Sequence, residues 1–144
     1  MKTFNVTNSD SHLFIQLKVD TIKKAFSKVY YIVRDERVKP HLAVSEEYEN
    51  GSIDLDSNNN IKWKHIDIAG KFIGHELEFI TFIENLPSDC NSNEKAKKYI
   101  LENVNIKYRI NDGDNANEYD LDEDDRIELF IERTGIIYKK IKIK

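Results

Sequence analysis

Hydrophobic positions along this chain recur mostly at every second residue. Leu13, Ile15, Leu17 and Val19 alternate with His12, Phe14, Gln16 and Lys18, the period of a strand with one face buried. Asp20 stands where it can cap a short helix carrying Ile22, Ala25, Phe26 and Val29 on one face, and the aromatic and β-branched run Tyr30 to Val33 predicts a strand behind it. Asn50-Gly51 is the strongest turn signal, because both residues tolerate the positive φ of a two-residue hairpin. It predicts strands over 41–49 and 52–56, with Tyr48 opposite Ile53, Glu46 opposite Leu55 and Glu47 opposite Asp54, the last a like-charge pair.

Ser57 to Asn60 reads as a turn into a strand over 61–69. Residues 75–86 fit either a helix face or a strand face, and the β-formers Phe79 to Ile83 favour the strand, which Pro87 ends. Asn91 followed by Glu94 resembles a capping box opening a helix with Ala96, Tyr99, Ile100 and Val104 on one face. Ile106, Tyr108 and Ile110 alternate as a strand, residues 111–125 form a long connection, and a terminal hairpin follows. A turn at Arg133-Thr134-Gly135 pairs Ile131 with Ile137, Phe130 with Tyr138 and Glu128 with Lys140, but also Leu129 with Lys139, a misfit. Lys139, Lys140, Lys142 and Lys144 then read as the wet face of the last strand. The sum is an α+β single domain over 1–144: a mostly antiparallel sheet of about six to eight strands with two or three helices, and an acidic loop at about 111–125.

Charge changes the picture more than composition does. Asp112, Asp114, Glu118, Asp120, Asp122, Glu123, Asp124 and Asp125 follow one another without a Lys or Arg between, and Glu46, Glu47, Glu49, Asp54 and Asp56 form a second such group. Together they hold half of the chain's 26 acids. The net charge of −4 argues against general binding to nucleic-acid phosphates. The lone Cys90 cannot close an internal disulfide, and no apolar run approaches the roughly 18 residues of a membrane span, so a cytoplasmic protein without membrane contact is expected.

The motifs of catalysis are sparse. Asp54, Asp56 and Asn58 alternate like the front of a calcium loop, but His65 stands where a bidentate Glu belongs. Asp112, Asp114, Glu118 and Glu123 make a second partial match, with Ala116 and Asn117 where a ligand and Gly belong. Both read as acidic turns in water. His65 and Asp67 lie two apart on one strand face, with His75 and Glu76 soon after, and this spacing reads as a surface His paired with Asp, not a zinc site. Phosphate-cradling loops and a Gly-x-Ser-x-Gly elbow are missing from the sequence. No cofactor is expected.

These observations point to a non-enzymatic binding protein: an acidic inhibitor or immunity protein that neutralises a basic partner such as a nuclease toxin, offering carboxylates where the target expects phosphates. The expected contacts are Tyr119, Asp120, Asp122, Glu123, Asp124 and Asp125, with Glu46, Glu47, Glu49 and Asp54. Tyr119 serves equally as an anchor for a partner or as a tack holding the loop to the body. The alternative is a divalent-metal-dependent hydrolase or Ca²⁺-binding module on the same acids. A third reading is a subunit that pairs through an edge strand at 137–144.

Overall fold

A computed structural model describes residues 1–46, 49–54 and 62–144. Its strands are β1 (Lys2–Phe4), β2 (His12–Asp20), β3 (Ala25–Val33), β4 (Glu36–Val44), β5 (Lys64–Ile68), β6 (Glu76–Ile83), β7 (Asn105–Asn111), β8 (Ala116–Asp120), β9 (Arg126–Phe130) and β10 (Thr134–Ile143). One α-helix, α1 (Asn93–Asn103), lies between β6 and β7, and short 3₁₀ turns occupy Ala69–Lys71 and Ile131–Arg133. The strands form two sheets. A six-stranded sheet runs β1-β10-β6-β3-β4 with β9 also on β10, and a four-stranded sheet runs β5-β2-β7-β8. The class is α+β-like and dominated by strand; among the described residues there is one α-helix where two or three were expected.

The period-2 pattern builds the interior. Leu13, Ile15, Leu17 and Val19 from β2, with Ile106, Tyr108 and Ile110 from β7, are buried against Leu77, Phe79 and Ile83 from β6 and Ile137, Ile141 and Ile143 from β10. The Phe79 and Tyr108 rings meet edge to face at 5.2 Å, one from each sheet. Such a pair adds about 0.5–1.5 kcal/mol beyond its buried area.

Several expected elements differ. The helix after Asp20 is absent; Ala25 to Val29 open β3, where Ala25, Ser27 and Val29 face Ile83, Thr81 and Phe79. The buried Ser27 hides the alternation, and its hydroxyl is satisfied by that of Thr81 at 2.9 Å. The expected pairings of Tyr48, Glu47 and Leu55 lie outside the described residues. Around Asn50-Gly51, Glu49 bridges to Ala25 of one sheet and Ile53 to Leu17 of the other, so the segment crosses between sheets. A Cβ on Gly51, whose φ is +78°, would sit 2.8 Å from the Ala25 Cβ, so this crossing needs glycine. The strand expected over 61–69 is β5, shorter at both ends, and β6 is the strand favoured for 75–86. The helix cap is Ser92, one residue beyond Asn91, accepting from the Lys95 N–H.

The terminal hairpin turns at Ile131–Arg133, which pairs Phe130 with Thr134 and Ile127 with Ile137. This register removes the Leu129–Lys139 misfit, since Leu129 faces Gly135. β10 lies inside its sheet, flanked by β6 on one side and by β9 and β1 on the other. It therefore offers no edge for a second subunit, and Ile136 and Ile137 are both buried. Lys139 belongs to the core face with Ile137 and Ile141, not to a wet face.

Candidate functional site

The acidic segment is not one loop. It comprises a turn at 112–115, the strand β8 and a second turn at 121–125. Asp112 is buried and accepts from the Thr7 N–H at 2.7 Å and the Thr7 hydroxyl at 2.8 Å, while its other oxygen caps the N–H groups of Asp114 and Asn115. Burial pushes its carboxyl up, but these four donors outweigh burial and hold it below the usual range.

β8 pairs with β7 so that Glu118 meets Arg109 and Asp120 meets Lys107, each as an ion pair. Arg109 reaches on to Gln16 Oε1 at 2.8 Å, linking three strands. On the other face, Tyr119 lies opposite Tyr108 and donates its hydroxyl to the Thr3 carbonyl at 2.8 Å. That bond makes Tyr119 a tack between the sheets.

The second turn is built on Lys139. Its ammonium has three protons and three acceptors: the Asp120 carbonyl at 2.8 Å, Asp125 Oδ2 at 3.1 Å and Asp122 Oδ2 at 3.4 Å. It also lies 5.6 Å over the Tyr108 ring. With its side chain 2% exposed and every proton engaged, Lys139 is a structural cation and not a nucleophile. The turn closes on itself through Asp122 N–H to Asp125 Oδ2, Asp124 N–H to Asp122 Oδ1 and Asp125 N–H to the Asp122 carbonyl. Lys97 of α1 donates to the Glu123 carbonyl from outside. Burial raises the Asp125 carboxyl against the pull of the Asp122 N–H and Lys139. In Asp122 burial is outweighed by Lys139 and the Asp124 N–H, and its carboxyl falls. The Tyr108 hydroxyl is the buried side-chain polar atom without a partner among the described residues, and burial pushes it well above the usual phenol range.

This network leaves Asp114, Glu123 and Asp124 with carboxylates outside any ion pair among the described residues. Asp124 rims a 410 Å³ cavity beside Lys2, Arg126, Tyr138 and Lys140. The Arg126 guanidinium stacks 3.9 Å from the Tyr138 ring centre. The rim therefore carries both signs.

The second acidic group lies elsewhere. Glu46, Glu49 and Asp54 line a 260 Å³ cavity with Lys62, on the β5 side of β2, whereas β8 is the opposite edge of the same sheet. Glu47 lies outside the described residues, as do residues 55–61 of the calcium-like pattern. Among the described residues no group of three or more His, Cys, Asp or Glu side chains is placed to hold a metal ion. Cys90 is buried. No helix is long and apolar enough to cross a membrane among the described residues. Sequence reasoning missed Lys139 and Thr7 as the partners that organise the acids, and Thr3 as the partner of Tyr119, because each is remote in the chain. The Leu129–Lys139 misfit was the one available signal.

Compared with known proteins, the chain matches no family model, no curated protein and no solved structure.

Proposed function

We propose that this chain is a non-enzymatic binding protein that engages a basic protein, of the nuclease-toxin kind, through the acidic turn at 121–125. The observation that carries this reading is the internal order of the turn. Lys139 beneath it and three hydrogen bonds within it hold the backbone, so the Glu123 and Asp124 carboxylates are presented without a large entropy loss on binding. Carboxylates held this way can occupy the phosphate positions of a nucleic-acid-binding partner and accelerate its approach. Asp114 adds charge on the same edge of the sandwich. Asp120, Asp122 and Asp125 support the turn through their bonds to lysines, and Tyr119 fixes the strand that leads into it. Glu46, Glu49 and Asp54 would form a separate contact on the far edge.

The test spares the residues that hold Lys139. Tagged wild type and a variant carrying Asp114→Asn, Glu123→Gln and Asp124→Asn are used to capture partners at physiological salt. A basic protein retained by wild type and lost by the variant supports the reading. Equal retention by both removes this turn from the interface.

A further inference from the structure

His12 and His65 meet at the outer face of the four-stranded sheet. His12 Nδ1 lies 2.6 Å from His65 Nε2, with ring centres 4.7 Å apart. A β-bulge creates this contact. β5 pairs with β2 as His12–Ile68 and Leu13–Asp67, then slips by one residue so that Phe14 faces His65. Without the slip, His65 would oppose Ile15, whose side chain is in the core. The bulge thus turns His65 to the outer face, where it packs on Phe14 at 5.4 Å and points a ring nitrogen at His12. It also breaks the expected His65–Asp67 pair: Asp67 sits opposite Leu13 and is bonded to Lys71 and the Ile68 N–H.

We infer that His12 and His65 form a two-histidine site for a divalent transition-metal ion of the zinc class, bound through His12 Nδ1 and His65 Nε2 with water completing its shell. Imidazole nitrogen is a preferred donor for such ions. In the neutral pair one ring donates its N–H to the other's lone pair. Moving that N–H to the donor's far nitrogen frees both lone pairs, so the neutral pair loses no proton on binding. Zinc–nitrogen bonds of about 2.0–2.1 Å at a tetrahedral angle place the nitrogens about 3.3 Å apart. The rings must therefore separate by under about 1 Å, and both are exposed at the sheet surface, free to do so. Lys64 and Lys71 are the nearby cations on β5 and its following turn, and Asp67 keeps Lys71 engaged. This site is independent of the acidic turn.

The probe is Zn²⁺, titrated calorimetrically into wild type, His12→Ala, His65→Ala and His41→Ala at pH 7.5, with histidine ring resonances recorded alongside. One zinc per chain is expected, with the rings of His12 and His65 shifting together while those of His41 and His75 stay fixed. Losing either ligand should weaken binding at least about tenfold, no less than loss of an outer-shell partner does, and His41→Ala should bind as wild type. Cu²⁺ bound to wild type should give the resonance pattern of two nitrogen ligands, independently of how the variants fold. Equal affinity in all four proteins, unmoved His12 and His65 rings, or a single-nitrogen copper spectrum would each overturn the site.

Discussion

Lys139 and Asp125 form an ion pair of 3.1 Å with side chains only 2% and 8% exposed, on the core side of a strand whose neighbours are isoleucines. Two charges taken from water at this depth are sustained by each other, by the Asp120 carbonyl and Asp122 carboxylate that accept from Lys139, and by the Asp122 N–H that donates to Asp125. Lys139→Met is expected to cost about 3–5 kcal/mol, because it leaves Asp125 buried without its cation. The double variant Lys139→Met, Asp125→Leu should recover at least half of that loss. Urea unfolding of the three proteins checks this, and a single-variant loss below about 1 kcal/mol would reduce the pair to the weight of a surface ion pair.

Asp112 ties the N-terminal segment to the β7–β8 turn across 105 residues of sequence. Asp112→Ala removes the acceptor for four donors and is expected to cost about 2–3 kcal/mol at pH 7. Its carboxyl is held below the usual range in the folded protein, so its contribution is complete above the unfolded value near 3.9 and fades as pH falls through the lower folded value. The difference between wild type and variant should therefore narrow at pH 3. A difference that grows on acidification would mean the carboxyl is raised, not lowered.

The strand pattern was legible in β2 and β7 because burial on one face repeats every second residue, whereas β6, buried on both faces, was favoured by its β-forming residues alone. Where a polar residue entered the core, the pattern broke. Ser27 disguised the start of β3 as a helix, and Lys139 disguised an interior strand as a half-wet one. The acids were visible as a cluster, but their partners were not. Lys107 reaches Asp120 through the β7–β8 pairing, and Thr7 and Lys139 reach Asp112 and Asp125 through tertiary contacts, which no local spacing reveals. The contact between His12 and His65 depends on a one-residue bulge, and a bulge at that position leaves no composition signal.

The β9–β10 turn holds Glu132 at φ 55° and Arg133 at φ 57°, two consecutive side chains in the left-handed region. Each such residue costs about 1–2 kcal/mol relative to an unstrained backbone. Arg133→Gly removes the steric cost at one position and keeps the carbonyl that accepts from Leu86 N–H. The larger unfolded-state entropy of glycine offsets part of the gain. A net stabilisation of about 0.5–1 kcal/mol is expected by thermal unfolding, and destabilisation would mean that the Arg133 side chain contributes more than the strain costs.

Gly135 on β10 lies directly beneath α1. A Cβ added there would fall 2.5 Å from Ile100 Cδ1 and 3.2 Å from Leu86 Cδ1. Both atoms are ends of buried side chains, so the backbone of β10 need not move, but the helix loses its fit. Gly135→Ala is expected to cost about 1–3 kcal/mol through overpacking. Ile100→Val deletes the closer atom and alone should cost about 0.5–1.5 kcal/mol through the space it leaves. Together the two changes exchange one methyl group between facing positions, so the double variant should lose clearly less than the sum of the singles. Additive losses would mean that α1 is held over β10 by contacts other than this one, and that the glycine is tolerated there without being required by the helix.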